Sequence, residues 1–171
     1  MPVWARTKIV LQEDCYREKP ERINIKYVGP NPSKLYYKVY ELLKSIFRAS
    51  DSDIQEEKYS WGKAADKEKF KVRWYLHKDL DMYTYMYLRF DVSGSGNEKT
   101  GDAMIKIKPV VRTEYAQDTM WQRSLFYEML RVFWHRVFYY KKREYYTEEC
   151  RNLITIFQRN INEFFRQLRE E

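Results

Sequence analysis

The stretch from Asp118 to Tyr146 constrains the fold most, because its periodicity is helical and it carries many large apolar side chains. With about 100° of rotation per residue, one stripe of a helix collects Phe126, Met129, Leu130, Phe133, Val137 and Tyr140. Flanking apolar side chains widen the stripe on both sides: Trp134, Tyr127 and Phe138 on one, Leu125 and Val132 on the other. The narrow polar strip that remains consists of Ser124, Glu128, Arg131, His135 and Lys142. A helix this apolar requires cover on two sides.

The ends of this helix also carry sequence signals. Thr119 with Gln122 three residues later fits a capping box, and Asp118 precedes it. Cations at Lys141–Arg143 suit the negative end of the helix dipole, so we expect the helix to end near them. Its cover is either the sheet and neighbouring helices of the same domain, or a ligand cavity or second subunit on one side, because large exposed apolar patches mark binding sites.

The composition is that of one globular domain over residues 1–171, which is long enough to bury a core. Charged residues make up 33% of the chain and aromatic residues 18%, which excludes both a disordered chain and a membrane span. The first residues contain no apolar signal region, and Cys15 and Cys150 form neither a metal-type spacing nor a disulfide framework. We therefore expect a cytoplasmic protein.

The formal net charge is +7, with a pI near 9.2, which raises the possibility of nucleic-acid binding. The positive excess is spread along the chain and forms no basic tail. Any nucleic-acid surface must therefore be assembled by the fold.

Segments with alternating apolar residues predict an antiparallel sheet with strands over Thr7–Leu11, Arg22–Val28, Ile54–Trp61, Phe70–His77, Met82–Val92 and Ala103–Val111. Pro109 has no N–H to donate, so the last strand is expected to lie at a sheet edge or to end there. Asn31 and Pro32 predict the start of a helix after the second strand. A final helix is expected from about Glu148, with a break from the preceding helix near Tyr145–Thr147.

This order of elements predicts an α+β fold, an antiparallel sheet of about five to six strands with one inserted helix and long C-terminal helices on one face. A strand-rich middle followed by a long C-terminal helix resembles the helix-grip arrangement of START-like and Bet v 1-like proteins. The resemblance implies an apolar ligand held between sheet and helix.

One predicted sheet face combines aromatic and cationic side chains: Lys71, Arg73, Tyr75, Tyr83, Tyr85, Tyr87, Arg89, Lys106 and Lys108. Bases can stack on such rings while cations meet phosphates, so this face is a candidate for single-stranded RNA or DNA. The same pattern also fits a solvated sheet face, because Tyr favours strands. The loop at 93–101 lacks the glycine of a phosphate loop and reads as a hairpin.

The polar strip could present an acid/base pair, but a solvated strip with a Glu128–Arg131 ion pair is the preferred interpretation. Neither histidine stands in a ligand motif, so we expect no metal and no cofactor, and no residue is singled out as catalytic. The leading hypothesis is a non-enzymatic binding protein that encloses an apolar small molecule or buries a partner in a homo-oligomer. The residues assigned to that role are Phe126, Leu130, Phe133, Trp134 and Val137.

Overall fold

The computed structural model describes residues 8–16, 22–64 and 67–170. The strands are β1 (Lys8–Asp14), β2 (Ile23–Val28), β3 (Ile54–Ala64), β4 (Lys67–Asp79), β5 (Thr84–Gly96) and β6 (Gly101–Ala116). The helices are α1 (Lys34–Phe47), α2 (Leu125–Val137) and α3 (Tyr140–Glu170). Short 3-10 turns at Asp51–Asp53 and Trp121–Arg123 precede β3 and α2.

The strands form one antiparallel sheet in the order β1-β6-β5-β4-β3, and β2 also pairs with β6. β2 pairs with Asp102–Ile107 of β6, and β1 pairs with Val110–Ala116 further along the same strand. The α+β expectation is therefore confirmed, with one helix inserted between β2 and β3 and a long C-terminal helix.

Pro109 does not lie in an edge strand, contrary to the prediction, because β6 has neighbours on both sides and continues past it. β6 tolerates this proline because Pro109 lies opposite the break between β2 and β1. The carbonyl of Pro109 accepts a hydrogen bond from the N–H of Cys15, so its nitrogen also points toward that side of the strand. The position at which Pro109 lacks an N–H donor therefore faces the break between β1 and β2.

The core lies between one face of the sheet and the helices α1 and α3. Side chains alternate between buried and half-buried along the whole of β5, as expected for a sheet with one covered face. Phe157 of α3 packs against Phe47 of α1 and Phe90 of β5, with ring centroids 6.3 Å and 5.2 Å apart. All three rings are fully buried, so the core is complete with these layers.

The break between the last two helices lies at Phe138–Tyr139, and the prediction of a break near Tyr145–Thr147 is wrong. The backbone N–H groups of Phe138 and Tyr139 both bond to the carbonyl of Trp134, which ends α2. Lys141–Arg143 consequently lie in the first turn of α3 and not at the C-terminal end of a helix, where they were expected. The side chain of Tyr139 is buried, and this tertiary contact fixes the bend.

A disulfide joins Cys15, just after β1, to Cys150 in α3, a pairing that the sequence did not indicate. Their Cα atoms are 5.9 Å apart although 135 residues separate them in the chain. Both residues are fully buried. The bond ties the sheet edge to the C-terminal helix.

Candidate binding surface on α2

Helix α2 is oriented with its polar strip toward the domain and its apolar stripe toward solvent. His135 is the buried residue of this helix, and the side chain of Arg131 is only 9% exposed. The prediction of a solvated polar strip is therefore wrong. The expected Glu128–Arg131 ion pair is present, with 2.5 Å between Oε2 and the guanidinium nitrogen.

The start of α2 differs from the predicted one by one short turn. The Thr119 and Gln122 side chains bond reciprocally to each other's backbone N–H, but this capping box closes the 3-10 turn at Trp121–Arg123. Ser124 caps α2 itself, because its Oγ accepts a hydrogen bond from the N–H of Tyr127 at 3.2 Å.

The inward side of α2 is held by polar contacts with the sheet and α3. The imidazole of His135 lies between the hydroxyl of Tyr115, 2.8 Å from Nδ1, and the guanidinium of Arg143 at Nε2. Burial, together with the smaller effect of the neighbouring positive charges of Arg143 and Arg131, lowers the pKa of His135 to about 4. The Glu128 carboxylate also accepts from the amide of Gln117 at 3.0 Å.

A second polar cluster fixes the bend between α2 and α3. The Asp81 carboxylate accepts hydrogen bonds from the hydroxyls of Tyr139 and Tyr146 and pairs with Lys142 at 3.0 Å. It also accepts from the backbone N–H groups of Tyr83 and Thr84, at 2.8 Å each. Burial alone raises the pKa of this carboxyl, but the N–H, hydroxyl and ammonium donors outweigh it and bring the pKa to about 2.

Burial raises the pKa of Tyr139, and the adjacent Asp81 charge adds to the shift. Its hydroxyl also bonds to Thr84 at 2.5 Å. The sequence analysis assigned no role to Asp81 or Tyr139. The signal in the sequence was weak: an aspartate between two predicted strands and a tyrosine off the apolar stripe.

The outer face of α2 carries the residues that the sequence analysis assigned to a ligand or an interface. Phe126, Leu130, Phe133, Trp134 and Val137 are all roughly half-exposed, with Phe133 at 56%. Further exposed apolar side chains surround them: Met120, Trp121, Leu125, Met129, Val132 and Phe138. We call this whole set the outer face.

The exposed area of the outer face is large for a single chain. With about 150–250 Å² for a whole aromatic side chain and roughly half of each exposed, the set presents on the order of 1,000 Å². The largest apolar patch on a typical monomer is about 300–600 Å². Isolated surface apolar residues do not explain an area of this size.

Two hollows flank the outer face. One, of about 370 Å³, lies between α2 and the end of the sheet, with Tyr83 and Tyr115 on the sheet side and Trp134 on the helix side. The other, of about 470 Å³, runs along the opposite flank and is lined by Glu128, Met129, Val132, Phe133, Arg136 and Val137. Both are open to solvent, whereas buried side chains fill the space between the sheet and α3.

Most of the candidate nucleic-acid residues lie on the sheet face away from the helices, as predicted for their strands. Arg73 pairs with Glu57 and Asp91, and Arg89 pairs with the same Asp91. Tyr85 donates to Glu114. Much of the face is thus engaged in cross-strand ion pairs and hydrogen bonds.

The remaining members of that candidate set are divided. Tyr75 stacks on Tyr87 with centroids 5.1 Å apart, while Lys71, Lys106 and Lys108 lie on the same face of β4 and β6. Tyr83 is separate, because it stacks on Tyr115 beside α2. The loop before β6 is a hairpin, closed by Asn97, whose Oδ1 accepts from the N–H groups of Lys99 and Thr100.

The chain matches no protein-family model, and no curated protein matches it. Across the ranges that the structure describes, no helix combines the length and the apolar character needed to cross a membrane. The described residues also contain no group of three or more His, Cys, Asp or Glu side chains that could hold a metal ion.

Proposed function

We propose that this protein is a non-enzymatic binding protein that buries the surface of a protein partner on the outer face of α2. The observation that carries the proposal is the orientation of α2. A polar strip held inward by His135, Arg131 and Glu128 leaves the apolar stripe about half-exposed, with no further cover from the described part of the domain.

The polar contacts explain why α2 does not roll over to bury its apolar stripe. Rolling would expose the apolar side chains less, but it would break the bonds of His135 to Tyr115 and of Glu128 to Gln117. It would also have to move the bend at Tyr139, which Asp81 holds from the β4–β5 turn. The domain thus presents the stripe outward in a fixed orientation, which favours binding because little conformational entropy is lost.

The shape of the surface favours a protein partner over an enclosed apolar ligand. The outer face is convex along α2, and the hollows beside it are open. Ligand pockets for small molecules usually bury most of the ligand surface. The interior position that a helix-grip protein uses for its ligand is filled here by Phe47, Phe90 and Phe157.

Amide hydrogen exchange tests whether the outer face is covered in the native preparation. Leu130→Glu with Phe133→Glu places two carboxylates on the outer face, and Val28→Glu with Tyr37→Glu is the matched control, because both control positions are exposed and lie outside α2. We expect the α2 amides of the wild type and the control to exchange at least about tenfold more slowly than those of the outer-face variant.

The sheet and α3 should exchange equally in all three proteins, which shows that the substitutions leave the domain folded. Equal exchange of α2 in wild type and the outer-face variant would mean that nothing covers the stripe. That result would overturn the proposal.

Single-stranded nucleic-acid binding on the opposite sheet face is the weaker proposal. Stacked rings at Tyr75 and Tyr87 beside Lys106 and Lys108 support it. The pairing of Arg73 and Arg89 with acidic neighbours counts against it, because phosphates would have to displace those carboxylates.

A further inference from the structure

We infer that the partner on the outer face is a second copy of this chain, with the two α2 helices packed antiparallel about a twofold axis. The inference rests on the proposed function and names its partner. It follows from the spacing of the stripe, the shape of its flank, its area and its composition.

The residue spacing of the central apolar stripe is the same in both directions along the helix. Phe126, Leu130, Phe133 and Val137 follow one another at intervals of four, three and four residues. An antiparallel copy therefore places Phe126 opposite Val137 and Leu130 opposite Phe133, and the reverse contacts are identical. This self-complementarity is what a twofold interface requires, and the spacing is that of a two-helix seam with axes about 8–10 Å apart.

The hollow along the flank fits the same arrangement. It lies beside Val132, Phe133 and Arg136, near the centre of α2. In the antiparallel register, the same flanks of the two helices face each other, so Met129 of the second copy reaches this hollow. Met129 is 64% exposed, and its unbranched side chain adapts to an irregular cavity.

The area agrees with a stable homodimer. The outer face exposes on the order of 1,000 Å² of apolar side chain, and one partner of a standard protein interface contributes about 800 Å². Because α2 is apolar beyond the central seam, the second copy must also cover part of the neighbouring surface, including Trp121 and Trp134. The hollow beside Tyr83 and Tyr115 lies where that cover would fall.

The composition also favours a protein partner over a lipid surface. Interface cores are rich in aromatic residues, Met and Arg and poor in Lys. Between Thr119 and Tyr140 the chain has Arg123, Arg131 and Arg136 but no Lys. A helix that lies in a membrane surface needs a free cationic face for the headgroups, whereas the side chain of Arg131 is only 9% exposed and is paired with Glu128.

Light scattering over a dilution series, with the two double variants described above, gives the first test. We expect the wild type and the control with Val28→Glu and Tyr37→Glu to be dimers of the 21.2 kDa chain. Leu130→Glu with Phe133→Glu should raise the dissociation constant about 100-fold or more, because each carboxylate would be buried without a partner.

Cysteine cross-linking tests the direction of packing. The native cysteines are already joined, so new thiols are the reactive ones. A mixture of Phe126→Cys and Val137→Cys proteins should form a mixed disulfide on oxidation, and Phe126→Cys alone should not cross-link. Cross-linking of Phe126→Cys with itself would indicate parallel helices and would overturn the antiparallel arrangement.

The outcomes separate this inference from the proposed function. The purified wild type could be monomeric at all concentrations while α2 is protected from exchange in the unpurified extract. That result would overturn self-association and leave a different protein as the partner. A monomer whose α2 becomes protected only on vesicles of phosphatidylcholine and phosphatidylglycerol would overturn both in favour of a membrane surface. A monomer with unprotected α2 in every condition would also overturn both.

Discussion

His135 fixes the direction in which α2 faces, and its protonation state determines whether it can do so. Arg143 donates to Nε2, so the neutral imidazole carries its proton on Nδ1 and donates to the Tyr115 hydroxyl. Protonation of Nε2 would place a second positive group against the Arg143 guanidinium. The contact is therefore compatible only with neutral histidine.

Acidification should consequently loosen α2 before it unfolds the domain. The folded-state pKa of His135, about 4, lies below its ordinary value of 6.5, so its contribution is complete above about pH 6.5 and is lost as the pH falls toward 4. At ~1.4 kcal/mol per pKa unit, the difference between 6.5 and about 4 corresponds to a full loss of roughly 3–4 kcal/mol.

Faster amide exchange in α2 between pH 6.5 and pH 5, relative to α3 and after correction for intrinsic rates, is the expected observation. His77→Gln is the control because His77 is exposed, and it should leave the profile unchanged. A profile that is flat through this range in the wild type would contradict the role given to His135.

The sequence predicted which residues share a face of α2 but not which face is buried. Periodicity defines the angle between an apolar stripe and a polar strip, and the assumption that the apolar side turns inward comes from typical globular helices. Here the long-range partners Tyr115, Arg143 and Gln117 reverse that orientation. The spacing of Phe126 and Phe133 thus placed them on one face, while their exposure depends on contacts that no local pattern contains.

At the scale of elements, the disulfide is the main link between β1 and α3. It encloses a long segment of chain, with a sequence separation of 135 residues. The carbonyl of Cys15 also accepts from the Arg151 side chain, so polar contacts reinforce the same junction. Loss of the cross-link increases the freedom of the unfolded chain much more than it changes the folded contacts.

Removing the disulfide with Cys15→Ala and Cys150→Ala should lower the free energy of unfolding by about 2–5 kcal/mol. Urea unfolding of the variant and of oxidised and reduced wild type measures this loss. Because both sulfurs are buried, the folded wild type should resist reductant until urea opens it. Equal midpoints for the oxidised wild type and the variant would mean that the bond does not stabilise the fold.

Strand positions followed from the sequence because alternation with a period of two is a local property. Several strands extend further than predicted, as in β6, where pairing with β1 and β5 carries the ladder through Pro109 to Ala116. The disulfide and the bend at Tyr139 could not be predicted in the same way. Both depend on the approach of residues that are far apart in the chain, Cys15 to Cys150 and Asp81 to Tyr139.

At the scale of the whole molecule, the core is assembled without the outer face of α2. The sheet, α1 and α3 bury their apolar side chains against one another, and α2 is joined to them by polar contacts and by Tyr139. The domain therefore has two separate apolar regions, one buried in the core and one exposed on α2. Substitutions in the two regions should have different effects.

The comparison of Phe157→Ala with Phe133→Ala tests this division with the same chemical change. Phe157 is fully buried between Phe47 and Phe90, so its truncation should cost about 3–5 kcal/mol of folding free energy through lost burial and a residual cavity. Phe133 is 56% exposed, so its truncation in the dilute monomer should change stability by only about 0.5 kcal/mol. Urea unfolding of both variants at protein concentrations below the dimer dissociation constant measures the difference. Light scattering at concentrations above that constant should show weaker association for Phe133→Ala alone. If Phe133→Ala destabilised the monomer as much as Phe157→Ala, its ring would have to pack within its own domain, and the outer face would be part of the core.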